Sequence, residues 1–331
     1  RERDLKVGLY FSHLDWSHPD YVPVPVGQRH VVEKAPPGFP VGSMPNTVQQ
    51  AFQANTQGAD ADWWQRFLAF QRAQLHELST RYHPDLLWFD GDWTPSGDSF
   101  WKMEELRDLL HQWNPQGVIL NSRMGGHGDY ETPEQGVPIT RPEGVWEFCV
   151  TMNDSWGYQP HDTNYKSARQ IIRMFAECIG MGGNMLLDIG PKADGTIPEE
   201  QVQRLEELGA WTSKHSEAIY TTQAGMPSGF FYGSSTLSQD RKTLYLIFFD
   251  IPRDQIAVRG LRNSVLRASV VGSDEQLSHR SVGGAPWMNV PGVLWIDVPE
   301  RVLDENATVI RLELDGELDL YTGAGHAIEV N

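Results

Sequence analysis

DLLWFDG, residues 85–91, is a short apolar run that ends in a carboxylate and then a glycine. Working outward from it, similar runs stand at Leu5–Ser12 (LKVGLYFS), Gly117–Ser122 (GVILNS), Glu147–Asn153 (EFCVTMN) and Gly183–Gly190 (GNMLLDIG). Between them, Asp62–Tyr82 carries Phe67, Phe70, Leu75 and Leu78 at helical spacing, and Trp101–Trp113 and Asn164–Ile179 repeat the theme. A last helix, Glu199–Lys214, presents Val202, Leu205, Leu208 and Trp211 on one face. Short strands alternating with helices predict βα units and a parallel sheet. After Tyr220 the pattern becomes short strands separated by Gly, Pro, Asp and Asn: Lys242–Ile251, Gln255–Val258, Val265–Val271, Val293–Val298 and Thr308–Leu314. These predict an antiparallel β package, so residues 1–222 and 223–331 read as two domains.

The 331 residues are 40% hydrophobic and 11% aromatic, the profile of a folded protein with a sizeable core. A formal charge of -17 argues against a nucleic-acid or anionic-membrane partner, since either polyanion would be repelled. A neutral ligand fits better. No apolar run approaches the ~20 residues that a membrane-spanning helix needs, and the charged start Arg1–Lys6 has no signal-type core behind it. A secreted or periplasmic location is nonetheless preferred over a cytoplasmic one. Cys149 and Cys178 lie in apolar segments and read as buried thiols.

Where parallel strands and helices close into a barrel, the carboxyl ends of the strands carry the chemistry. Trp88 with Asp90, Asn121 with Arg123, Glu147, and Asn184 with Asp188 all fall at or near strand ends. A carboxylate between aromatic residues suits attack on the anomeric carbon of a sugar, whereas the plainer reading has Asp90 capping the next turn. Retaining hydrolysis needs a second, protonated carboxyl group, and Glu134 and Glu147 are the best candidates in a region that also holds Asp129, Glu131 and Glu143. His13, His18 and His30 lack metal-ligand spacing, so surface or hydrogen-bonding roles are expected and no metal site. Trp63, Trp64, Trp101 and Trp113 read as core, while Trp16, Trp93 and Trp156 lie in loops where they could stack on sugars.

Seven motifs, GLYFSHLDW (8–16), DLLWFDGDW (85–93), VILNSRMG (118–125), DYETPEQ (129–135), WEFCVTMNDSWGY (146–158), GGNMLLDIGPKADGTIP (182–198) and LGAWTSKHSEAIYTT (208–222), resemble in order those of the α-L-fucosidases of glycoside hydrolase family 29. The resemblance implies a (β/α)8-type, TIM-like barrel lacking its first three βα units in this chain, followed by a C-terminal antiparallel β-sandwich. It implies a retaining exo-glycosidase that removes terminal α-L-fucosyl residues from oligosaccharides or glycoconjugates by double displacement, with no cofactor. Asp90 would be the nucleophile, and Tyr10, Trp88 and Arg123 would contact the sugar; Trp156 joins the substrate-binding candidates on its loop position alone. The acid/base falls on Glu134 or Glu147, with Glu134 preferred because a loop acid can close over the leaving group. Asp188 departs from the asparagine common at that place. A non-catalytic carbohydrate-binding protein, or a hydrolase of another deoxy or neutral sugar, are the rival readings, and open sheet edges would allow a homo-oligomer.

Overall fold

The computed structural model describes residues 4–15, 18–21, 62–92, 98–250, 255–273 and 275–323; Trp16, Trp93 and His30 lie outside the described residues. They form two compact units, Arg1–Thr132 and Pro133–Asn331.

The first unit contains β1 (Gly8–Ser12), α1 (Asp62–Tyr82), β2 (Leu86–Asp90), α2 (Asp98–Trp101), α3 (Met103–Trp113) and β3 (Ile119–Leu120). The strands form a parallel sheet in the order β1-β2-β3. Because side chains alternate across a strand, Leu87 and Phe89 turn to one face and Trp88 and Asp90 to the other. Leu87 and Phe89 are buried in a core with Trp64, Phe67, Leu75, Trp101, Leu106 and Leu110 from the helices. Each such side chain contributes about 2 kcal/mol by leaving water. The predicted helix over 101–113 is broken at Lys102, whose φ is +51°. There the half-buried Arg72 guanidinium donates to the carbonyls of Trp101 (2.5 Å) and Lys102 (3.3 Å). β3 is shorter than the sequence suggests because the Asn121 side chain replaces backbone pairing: Phe89 N donates to its Oδ1 (2.8 Å) and its Nδ2 donates to Phe89 O (2.9 Å).

The second unit opens with β4 (Glu147–Thr151), α4 (Ala168–Gly180), β5 (Asn184–Asp188) and α5 (Glu199–Lys214). β4 and β5 pair in parallel with Thr151 opposite Asp188. Ser167 starts α4 with a capping box closed by Gln170. Then come β6 (Thr222–Ala224), β7 (Ser234–Ser238), β8 (Thr243–Phe248), β9 (Gln255–Val258), β10 (Val265–Val270), β11 (His279–Val282), β12 (Val293–Asp297) and β13 (Thr308–Leu314). They make two antiparallel sheets, β10-β13-β8-β7-β6 and β11-β12-β9, which share one core through Leu244, Leu246, Ile256, Ile296, Ile310 and Leu312. The alternate residues Tyr245, Ile247 and Val309 turn the other way and pack with Ile172 and Ala176 of α4 and Trp211 of α5. The change of pattern at 222/223 thus falls inside a compact unit, because two helices before it lie on a sheet formed after it. Cys149 and Cys178 are buried free thiols, as the sequence suggests. Among the described residues the parallel strands form a three-stranded and a two-stranded sheet, not a closed ring. No helix there is long and apolar enough to cross a membrane.

Candidate active site

Four of the singled-out residues meet at the carboxyl end of β1 and β2. The register sets Tyr10 opposite Trp88 and Ser12 opposite Asp90, so the alternation that buries Phe89 sends Tyr10, Ser12, Trp88 and Asp90 to the opposite face, where Arg123 joins them from the turn after β3. Tyr10 stacks on Trp88 with ring centroids 5.8 Å apart and planes at 20°. Its hydroxyl donates to Asp90 Oδ2 at 2.9 Å. Arg123, in the turn after β3, donates from Nη1 to Asp90 Oδ1 at 2.6 Å, and its guanidinium lies 4.6 Å from the centre of the Trp88 ring. Arg123 Nε also reaches Thr132 Oγ1 at 3.4 Å. Both carboxylate oxygens of Asp90 therefore have a named donor, and the carboxyl group is 26% exposed. Gly91, at φ +87°, turns the chain directly behind it.

Tyr10 is 62% exposed as a residue, yet its hydroxyl is tucked against Asp90. Desolvation there, then the Asp90 charge and hydrogen bond, push the phenol well above its ordinary pKa. It remains a donor throughout the working range of most enzymes. Asp129, one of the loop acids, braces the turn after β3, accepting from Leu120 N at 2.8 Å and from Arg107 at 2.7 Å.

Sequence reasoning assigns His13 no specific role, although it is 1% exposed and connects two of these residues. Its backbone N donates to Asp90 O at 2.7 Å, and its Nε2 lies 3.1 Å from Arg123 O. Its ring stacks on Phe89 at 4.7 Å with planes at 5°. Gln71, Asn121 and Thr132 likewise make contacts that the sequence does not announce; the one available signal is a histidine at the end of an apolar strand.

Glu134, Glu147 and Trp156 lie in the second unit, all half-buried. Glu147 is the first residue of β4, at its amino end. Pro133–Gln135 runs beside the middle of β4, where Cys149 N donates to Pro133 O (3.0 Å), Gln135 N to Cys149 O (2.9 Å), and Glu134 bridges Cys149. Trp156 sits in a loop braced by Asp162, which accepts from Asn153 Nδ2 (2.8 Å), Asp154 N (3.1 Å) and Asn164 N (3.3 Å). Asp188 ends β5 with Oδ2 buried and without a hydrogen-bond partner, and burial pushes its pKa up to about 6. Among the described residues no group of three or more His, Cys, Asp or Glu side chains could hold a metal ion.

The family model described as α-L-fucosidase matches residues 1–217. An α-L-fucosidase of Dictyostelium discoideum is 32% identical over 251 residues, 69% of this chain and 54% of that relative. The plasma α-L-fucosidase of Rattus norvegicus is 29% identical over 264 residues, 75% of this chain and 50% of its own length. The chain thus spans about half the length of the curated relatives it matches. Among solved structures, α-L-fucosidase isoenzyme 1 from Paenibacillus thiaminolyticus superposes with a TM-score of 0.76 at 30% identity, covering 95% of this chain and 73% of that one. The α-fucosidase of Thermotoga maritima, solved with a mechanism-based inhibitor, gives 0.68 at 27% identity, with 95% and 66% covered.

Proposed function

Because this chain belongs to the α-L-fucosidase family, glycoside hydrolase family 29, we propose that it acts as a retaining α-L-fucosidase on terminal fucose of oligosaccharides or glycoconjugates. The observation that carries this reading is the Asp90 carboxylate at a strand end, held at one oxygen by Arg123 and at the other by Tyr10, beside the Trp88 ring. Asp90 attacks C1 of the fucosyl group while a carboxylic acid gives its proton to the departing oxygen; the C1–O bond to the aglycone breaks and an ester to Asp90 forms. The same acid, now a carboxylate, takes a proton from water, whose oxygen displaces Asp90 from C1. Two inversions leave the configuration retained.

Of the two candidate acids, Glu134 is favoured. It stands two residues after Thr132, whose hydroxyl meets Arg123, whereas Glu147 is at the amino end of its strand and such sites gather at carboxyl ends. The parallel strands belong to a TIM-like barrel, with residues 1–222 as the catalytic portion and 223–331 as a β-sandwich domain. Trp88 and Tyr10 offer an aromatic surface to the sugar's apolar face, and Trp156, in its loop of the second unit, is a further substrate-binding candidate.

Replacing Asp90 by Gly should lower kcat on an aryl α-L-fucoside by on the order of a thousandfold or more, with partial recovery in azide, which enters the gap as a small nucleophile. NMR of the azide product should give β-fucosyl azide. Undiminished turnover in that variant, or β-L-fucose as first product of the parent, removes Asp90 from the mechanism.

A further inference from the structure

The buried polar chain behind Asp90 fixes its own proton positions. Arg72 can only donate, and its Nη1 donates to Gln71 Oε1. The oxygen of the Gln71 amide therefore faces Arg72, and its NH2 group, which also can only donate, faces His13 Nδ1 at 3.0 Å. Nδ1 must then offer a lone pair. The neutral imidazole carries its proton on Nε2, which donates to the Arg123 carbonyl, a group that can only accept. A second proton on Nδ1 would point at the Gln71 amide hydrogens. Desolvation, with a further push from the Arg72 charge, lowers the His13 pKa to about 3, although the Arg123 carbonyl works in the other direction. Among the described residues no carboxylate acts on the ring. Its flat contact with Phe89 and tilted contact with Trp101 at 5.3 Å leave no freedom to turn over.

We propose that His13 is a positioning residue: a permanently neutral, Nε2-protonated tether that holds the backbone of Asp90 through its own amide and the backbone of Arg123 through its ring, and so sets the angle at which the nucleophile meets the sugar. The inference rests on the reading of Asp90 as nucleophile given above. Arg123 and Asp90 come from different segments, and the 2.6 Å bond between their side chains can be strained or relaxed by a small shift of either main chain. His13 is joined to both main chains, 33 residues apart in sequence. Gln71 and Arg72 extend the tether to α1 and to the carbonyls of Trp101 and Lys102, giving it a rigid anchorage.

Three variants and one spectrum test it on the purified full chain. His13→Phe keeps the flat ring and loses both ring hydrogen bonds; His13→Gln restores a donor, since its Nε2 lies the same number of bonds from Cβ as that of histidine. Leu75→Ala, in the same core, serves as a control of comparable thermal destabilisation. His13→Phe should lower kcat on an aryl α-L-fucoside roughly 100-fold, the scale expected for a misplacement of about 1 Å, with KM within about threefold. His13→Gln should recover at least about tenfold of that loss. Leu75→Ala should lose melting temperature but not kcat. In the parent, long-range 1H–15N spectra should show His13 neutral and Nε2-protonated from pH 8 to pH 4.5. A His13→Phe enzyme with kcat within threefold of the parent, or an equal kcat loss in Leu75→Ala, overturns the proposal. Should His13→Phe fail to fold, His13→Gln and the spectrum decide: a His13 that titrates near its ordinary value, or carries its proton on Nδ1, overturns the tether even if the parent is active. A parent that hydrolyses no fucoside overturns the fucosidase reading instead, while the spectrum still reports on the tether.

Discussion

Asp90 is gripped at both oxygens, and the two grips are chemically unequal. Arg123 brings a charged, planar donor that at once meets Asp90, reaches Thr132 and covers Trp88. A lysine is a point charge and serves one of those partners at a time. Arg123→Lys is therefore expected to lower kcat/KM by about 10- to 100-fold, most of it in kcat, as measured on an aryl fucoside. Tyr10 contributes a single neutral hydrogen bond of 2.9 Å, so Tyr10→Phe should cost about tenfold and keep the ring contact with Trp88. Because desolvation and the Asp90 charge keep the phenol protonated, that loss should be the same at every pH from about 5 to 9. An effect that shrinks toward high pH would mean that the phenol ionises in the working range.

At the scale of the element, the end of β2 depends on a residue with no side chain. Gly91 has φ +87°, and a Cβ there would lie 2.4 Å from Leu14 Cγ. Gly91→Ala should cost about 1–3 kcal/mol, read as a lower melting temperature, and should depress kcat as well because the turn carries Asp90. Ser167→Ala, which opens the capping box of α4, should cost about 1 kcal/mol with kcat unchanged. Most elements were legible in the sequence: α1, α5, β9 and β13 have the bounds their apolar spacing predicts. β7 was not, since Ser234–Ser238 (SSTLS) holds one apolar residue among four hydroxyl side chains. Its hydroxyls become buried by finding backbone partners: Met226 N donates to Ser235 Oγ (2.8 Å) and Thr236 Oγ1 to Ala218 O (2.6 Å). The meeting of Tyr10, Trp88, Asp90 and Arg123 was legible because strand alternation and a family motif point to the same residues. The part played by His13 was not, because its partners Gln71 and Arg123 lie 58 and 110 residues away in sequence.

For the molecule as a whole, two groups with shifted pKa values, the buried His13 of the first unit and the half-buried Asp188 of the second, answer acid with opposite sign. His13 titrates at about 3 when folded against 6.5 unfolded, so between these values the unfolded chain binds the extra proton. Its contribution is full above pH 6.5 and is lost as pH falls toward 3, by at most about 1.4 kcal/mol per pH unit. Asp188 titrates at about 6 against 3.8, so the folded form holds the proton, and that contribution is full below pH 3.8 and lost as pH rises through 6. Calorimetric melting across pH should accordingly find Asp188→Asn more stable than the parent at pH 7.5 and no different at pH 4. A constant gap across that range would show that the ionisation of Asp188 is not what separates them.

The buried indole of Trp211 donates to Ala307 O at 2.9 Å, joining the last helix before residue 222 to the strand that begins at Thr308. This single bond has a practical corollary for anyone dissecting the polypeptide. Scissors at 222/223 would release a front piece wearing the greasy sides of α4 and α5 bare in water, and a rear piece whose largest sheet had lost its cover. The second unit is one garment, and it unravels if it is unstitched where its pattern changes.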